Sequence, residues 1–131
     1  MNIALMAHDR KKELMVQFCI AYCGILAGHS ICATNTTGRL VSEATGLPVT
    51  LYLSCSQGGN QQIGARIAYN EIDLVLFFSD PHTTNPMEVN EIARLCDQHN
   101  IPFASNVATA EVLIQGLKRG DLDWRDIVNP K

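Results

Sequence analysis

A single doubly wound α/β domain, a five-stranded parallel sheet with helices on both faces, is the fold predicted for residues 1–131. Three observations carry this expectation. Short apolar runs alternate with helical periodicity from end to end, which is the pattern of repeated βα units. The connections are short, as right-handed crossovers in one sheet require. The clearest run, Asp73-Leu74-Val75-Leu76-Phe77-Phe78, is continuously apolar, as a strand covered on both faces must be.

The elements follow in order. Ile3 to Ala7 reads as a buried first strand. Leu14, Met15, Phe18, Cys19, Tyr22, Ile25 and Leu26 then recur at helical spacing, and Gly28 closes that helix. A second strand, Ile31 to Thr34, meets the turn Asn35-Thr36-Thr37-Gly38 and a short helix ending near Gly46. Pro48 to Leu53 is rich enough in β-branched and aromatic residues for a third strand. The glycines and amides of Gly58-Gly59-Asn60-Gln61-Gln62 then lead into a helix through Ile63, Ile67 and Ala68.

Beyond the fourth strand, a polar loop from Ser79 to Pro86 precedes a helix with Val89, Ile92, Ala93 and Cys96 on one side. Pro102-Phe103-Ala104 forms the fifth strand, and Ala110, Leu113, Ile114 and Leu117 mark the last long helix. The tail from Asp121 is polar, with Trp124 as its expected anchor.

Composition narrows the function. Hydrophobic residues make up 47% and charged residues 18%, so the chain is globular. A net charge of −3 without a basic run argues against a nucleic-acid groove or a polybasic membrane patch. The first residues have no basic n-region, and their apolar run is too short for a bilayer, so a cytoplasmic location is expected. Five cysteines lie at 19, 23, 32, 55 and 96 without a CxxC pair, which reads as reduced core thiols and not as a metal site.

In a parallel sheet, ligands bind at the carboxyl ends of the strands. Strand one delivers His8 and Asp9, with Lys12 one turn on; strand two delivers Thr34 to Gly38. Strand three brings Ser54, Cys55 and the Gly58-Gly59-Asn60 turn, strand four brings Ser79, Asp80 and His82, and strand five brings Ser105 and Asn106. The threonine-rich turn offers hydroxyls and backbone N–H groups to a phosphate or carboxylate, with Lys12 as counter-charge. Thr36 or Thr37 could equally cap the helix, and the two roles are compatible. Asp9 and Asp80 are candidate bases or orienting groups, against plainer roles in compensating a helix dipole and in a turn. Neither a Walker A nor a G-x-G-x-x-G pattern occurs, and the acidic pair and lysine of a receiver domain are missing.

Taken in order, these strand ends resemble the methylglyoxal synthase family over nearly the whole chain. Ile3-Ala4-Leu5-Met6-Ala7-His8-Asp9-x-x-Lys12 is similar to its opening motif. Ala33-Thr34-Asn35-Thr36-Thr37-Gly38 resembles its A-T-G-T-T-G turn. Leu53-Ser54 with Gly58-Gly59-Asn60-Gln61-Gln62-Ile63-Gly64-Ala65 resembles its L-S-G-P-x-G-G-D-Q-Q-x-G-A signature. Phe77-Phe78-Ser79-Asp80-Pro81 and Ile101-Pro102-Phe103-Ala104-Ser105-Asn106 match the later segments.

The resemblance implies conversion of dihydroxyacetone phosphate to methylglyoxal and inorganic phosphate, with neither metal nor organic cofactor. A carboxylate takes a proton beside the carbonyl, and the enediolate then expels phosphate. It implies that His8, Lys12, Thr34, Thr36, Thr37 and Ser54 hold substrate, mainly its phosphate. The backbone of Asn35-Gly38 and of Cys55, Gly58 and Gly59 would approach it, and Asp9 and Asp80 would remain polar members of the site. A homo-oligomer, usually a hexamer, is implied as well.

The departures from the family pattern fall on the chemistry. Asn60 stands at the position of the family's base. The family loop D-P-L-x-x-x-P-H-x-P-D-V is here Asp80-Pro81-His82-Thr83-Thr84-Asn85-Pro86-Met87-Glu88-Val89, two residues shorter, with Met87 in place of the polarising histidine. No aspartate precedes its valine; Glu88, the one carboxylate between Asp80 and Val89, and His82, which a shortened loop could re-aim inward, are the candidates to replace the lost groups. Cys55 and Asn35 replace glycines. Two functions follow: a phosphate lyase using Asp9 or Asp80 as base with His82 polarising the carbonyl, or a non-catalytic binder of a phosphorylated metabolite. The regulatory domain of carbamoyl-phosphate synthetase, similar to this family in fold, is a precedent for the second.

Overall fold

The computed structural model describes residues 1–83 and 85–128. Residue 84 of the expected polar loop and residues 129–131 of the expected tail lie outside them. The chain runs β1 (Asn2–Ala7), α1 (Lys12–Ala21), α2 (Cys23–Leu26), β2 (Ser30–Ala33), α3 (Asn35–Thr45) and β3 (Val49–Leu51). It continues with α4 (Gly59–Ala68), β4 (Leu74–Phe78), α5 (Met87–Gln98), β5 (Phe103–Ala104), α6 (Val107–Arg119) and α7 (Trp124–Val128). Single 3₁₀ turns at Asp9–Lys11 and Cys55–Gln57 lead into α1 and α4.

The five strands form one parallel sheet in the order β3-β2-β1-β4-β5. Both faces are covered. Ile3, Leu5 and Ala7 of β1 join Met15 and Phe18 of α1, Val41 of α3, and Ile114 of α6 on one side. Ala4 and Met6 pack with Ile63 and Ile67 of α4, and with Ile92 and Cys96 of α5, on the other. This two-sided burial explains why β1 and β4 read as unbroken apolar runs. It also makes the sheet doubly wound, with its topological switch point between β1 and β4.

The structure departs from the sequence expectation in three places. The first helical run breaks at Tyr22, whose φ of −110° and ψ of 22° leave the helix beside the weak helix former Gly24. The third strand is shorter than Pro48–Leu53, because β3 is an edge strand paired on one side to Ile31–Ala33. The tail is anchored by Arg125, which is wholly buried, whereas Trp124 remains 45% exposed. Arg125 can be buried because Asp73 and three neighbouring oxygens satisfy its donors.

All five cysteines are free thiols. Burial pushes the Cys19 and Cys96 thiols up to about 12, so both stay protonated and unreactive. Among the described residues, no helix is long and apolar enough to cross a membrane.

Candidate functional site

At the switch point, the ends of β1 and β4 are tied together through His8. Its N–H donates to Phe78 O at 3.1 Å, and its Nδ1 accepts the Asp80 N–H at 2.8 Å. With Nδ1 used as an acceptor, the neutral ring carries its proton on Nε2. Nε2 is buried without a hydrogen-bond partner among the described residues, so it is a donor held in reserve. The ring packs edge-on against Phe77 at 5.1 Å, which fixes its plane.

Lys12 reaches back over this turn. Its ammonium donates to Ala7 O at 2.9 Å and to Asp9 Oδ1 at 2.8 Å, leaving one N–H for another acceptor. That hydrogen bond, and the charge behind it, hold the Asp9 carboxyl below its usual range. The Asp9 side chain is 98% exposed. A carboxylate so placed is a counter-charge for Lys12 and a weakened base.

The β2 end continues the cradle. Thr34 is extended and acts as the N-cap of α3, but no side chain caps that helix, so neither Thr36 nor Thr37 takes the capping role. The Thr37 hydroxyl is buried without a partner among the described residues. Gly38 is needed for packing: a Cβ there would collide with Leu51 and Ala33. At the β3 end, Ser54 enters the 3₁₀ turn, and Gly58 closes it in the left-handed region at φ 102°. Gly59 then starts α4 directly against the Leu53 carbonyl, where a Cβ would not fit. Gln62 secures the same strand end by accepting the Leu53 N–H at 2.8 Å. Asn60 is the second residue of α4, and both its amide N and O are buried without partners among the described residues.

At the β4 end, Asp80 Oδ1 accepts the His82 N–H at 2.9 Å, and Oδ2 lies 3.9 Å from the Arg10 guanidinium. Asp80 therefore does serve a turn. Asn106 at the β5 end caps α6 through the Thr109 N–H at 2.9 Å, a structural task.

These ends enclose a cavity of about 590 Å³. Its walls bring together His8, Asp9, Lys12, Thr34 and Thr36 with Ser54 and Cys55. Asp80 and His82 close it from the β4 side. Asn35, Thr37, Gly38, Gly58, Gly59 and Asn60 lie outside its lining and form the frame behind it. Two wall residues are not evident as such from the sequence, Ser56 and Thr83, whereas Glu88, singled out there as the one carboxylate between Asp80 and Val89, does line the wall. Ser56 was legible in hindsight, since a 3₁₀ turn after Ser54 brings the two hydroxyls within 3.3 Å. Cys55 and Glu88 share this wall, and the Cys55 thiol is pushed up by burial and, next, by the negative charge of Glu88. A larger hollow of about 760 Å³ lies away from the strand ends, between the α1–α2 bend and the end of α6.

Fold and cavity define an α/β protein that can hold a small anionic ligand at the switch point of a doubly wound sheet. The chain belongs to the family described as MGS-like domain, which matches residues 15–105. It is 64% identical to the methylglyoxal synthase of Caldicellulosiruptor saccharolyticus over 133 aligned residues, covering 100% of this chain and 94% of that protein. It is 52% identical to the methylglyoxal synthase of Oceanobacillus iheyensis, covering 100% and 95%. The crystal structure of methylglyoxal synthase from Elizabethkingia anophelis NUHP1 superposes with a TM-score of 0.81 at 41% identity, covering 86% of this chain and 76% of that one.

Proposed function

We propose that this chain is a methylglyoxal synthase-type carbon–oxygen lyase, taking dihydroxyacetone phosphate to methylglyoxal and inorganic phosphate at a reduced rate. The observation that carries this reading is the cavity itself, where Lys12, Thr34, Thr36 and Ser54 face the same space as three carboxylates. The free N–H of Lys12 and the hydroxyls take the phosphate, and charge-assisted hydrogen bonds make that the strongest contact. The Nε2–H of His8 is suited to the carbonyl oxygen, where negative charge develops as the neighbouring C–H bond breaks. His82, at the cavity mouth, is a second donor for that oxygen.

The rate is reduced because Asn60 occupies the position of the family's base. An amide can hydrogen-bond an enediolate but takes no proton near neutral pH, and losing a general base costs ~10²–10⁴-fold. Proton removal then falls to a carboxylate of the cavity wall.

The test is a coupled assay of methylglyoxal and phosphate release beside an Asn60→Asp variant. The parent should turn over slowly, and the variant roughly 10²-fold or more faster. A parent with no product above the protein-free control sinks the lyase reading.

A second reading, a non-catalytic sensor of a phosphorylated metabolite, is favoured by one observation. The cavity keeps its phosphate-holding wall of Lys12, Thr34, Thr36 and Ser54 while the position of the family's base carries an amide, Asn60, that accepts no proton. Tight calorimetric binding of dihydroxyacetone phosphate by a parent that makes no product would establish it.

Two properties of the whole protein belong to the same proposal. Its free, largely buried thiols suit the cytoplasm. Leu40, Leu51 and Leu53 are 39%, 41% and 48% exposed around the β3 edge, which supports assembly into a homo-oligomer. Light scattering that finds only monomer would refute the assembly.

A further inference from the structure

We propose that Glu88 is the catalytic base that compensates for Asn60, an inference that rests on the lyase reading above. Four carboxyl positions bear on the cavity: Asp9, Asp80 and Glu88 in its wall, and the lost carboxylate at Asn60 behind it. Asp9 is bound to Lys12 and turned outward, with its side chain 98% exposed. Asp80 is committed to the His82 N–H and faces the Arg10 guanidinium. Glu88 alone of the three has no hydrogen bond or ion pair among the described residues, yet it is half-buried and lines the cavity. It enters from the start of α5 and lines the same cavity as the phosphate cradle of Lys12, Thr34 and Ser54. A substrate held by its phosphate in that cradle keeps its hydroxymethyl group in the space that Glu88 lines.

Two features position it. Pro86 precedes α5 and places Glu88 in the helix's first turn, where a negative side chain complements the helix dipole. The loop before α5 is two residues shorter than the family pattern, so Glu88 follows Asp80 by only eight residues. Glu88 also directly precedes Val89, and its extra methylene over an aspartate lengthens its reach into the cavity.

The step balances without any co-reactant. The Glu88 carboxylate takes a proton from the hydroxymethyl carbon, and the C–H electron pair becomes the enediolate double bond. The carbonyl π pair moves to oxygen, facing the His8 Nε2–H. As the hydroxyl oxygen on the deprotonated carbon forms the aldehyde carbonyl it gives its proton to the departing phosphate, the enediolate double bond shifts towards the phosphate-bearing carbon, and the C–O bond there breaks with its electron pair leaving on phosphate. The resulting enolate takes the proton held by Glu88 at the carbon that phosphate left, giving methylglyoxal and restoring the carboxylate.

The experiment compares the parent with Glu88→Gln and Glu88→Asp by three readouts. Deuterium incorporation from D2O into the hydroxymethyl group of dihydroxyacetone phosphate reads proton removal alone. Methylglyoxal release reads the whole reaction, and calorimetry with inorganic phosphate reads the cradle. Glu88→Gln should lose ~10²–10⁴-fold in exchange and in kcat while its phosphate affinity stays within about threefold of the parent's. Glu88→Asp, which keeps the carboxylate, should fall between them and guards against a misfolded glutamine variant. Exchange and turnover preserved in Glu88→Gln would overturn the assignment and leave the lyase reading standing. Loss of phosphate binding in step with turnover would make Glu88 part of the binding wall and not the base. A parent that binds phosphate but neither exchanges nor eliminates would overturn the lyase reading and this inference together.

Discussion

At the scale of single residues, Lys12 does two jobs that one substitution separates. Its ammonium is a partly buried cation of the cavity wall, 17% exposed, and it is also the group that holds the Asp9 carboxyl low. Because the folded value of Asp9 is depressed, the pair is complete at neutral pH and weakens only as pH falls through that lowered value. Lys12→Met should therefore weaken inorganic phosphate binding by ~10- to 100-fold, the loss expected for one charge-assisted hydrogen bond. In the same variant Asp9 should titrate higher, back towards the ordinary 3.8. Calorimetry and a carbon NMR titration of the carboxyl measure the two effects; an Asp9 titration that does not move would show that Lys12 is not what depresses it. The sequence showed that Lys12, Asp9 and His8 share a strand end. It could not show that Lys12 turns back onto Ala7 O or that Asp80 fixes the His8 tautomer, because both are contacts between turns and not patterns along one.

At the scale of elements, the glycines before α4 are where backbone geometry shapes the site. Gly59 starts the helix against the Leu53 carbonyl, a backbone atom that cannot swing aside. Gly59→Ala should thus cost about 1–3 kcal/mol of stability, as overpacking does, and should displace the start of the helix that carries Asn60. Gly24 offers the opposite case: it lies within α2, and a methyl group added there would meet nothing within 4 Å. Gly24→Ala should stabilise by roughly 0.5–1 kcal/mol through reduced chain entropy and better helix propensity. Urea unfolding of both variants checks the pair, and equal effects of one sign would refute the distinction. The alternation of strand and helix was plain in the sequence because β1 and β4 are buried on both faces, which writes continuous apolar runs. The break at Tyr22 was hidden because Phe18, Tyr22, Ile25 and Leu26 keep helical spacing across it. Asn106 looked like a site residue by position, yet its carbonyl is spent on the α6 cap.

At the scale of the whole molecule, the ligand end and the anchoring end of the sheet are separate. His8, Ser54 and Asp80 gather at the carboxyl ends of the strands, while Arg125 of α7 binds at their amino ends. Its guanidinium reaches Asp73 Oδ1 at 3.1 Å, Asn70 Oδ1 at 2.8 Å, and the carbonyls of Asn100 and Ile72 at 2.9 and 3.2 Å. Asp73 in turn accepts the Asn2 N–H at 2.8 Å, so one buried ion pair joins the starts of β1 and β4 to the loop before β5 and to α7. Trp124 is the anchor expected from sequence because a large apolar side chain usually fills that role. A buried arginine is legible only once its acceptors are brought together by the fold. Both ions are fully buried, so removing one strands the other, at a cost of about 3–5 kcal/mol. Arg125→Met should lower the urea midpoint accordingly and leave inorganic phosphate affinity unchanged where the variant is folded, since the cavity lies at the far end of the sheet. Trp124→Ala, at an exposed position, should cost far less. A larger loss from Trp124→Ala than from Arg125→Met would mean that apolar contact, and not the ion pair, holds α7 to the sheet.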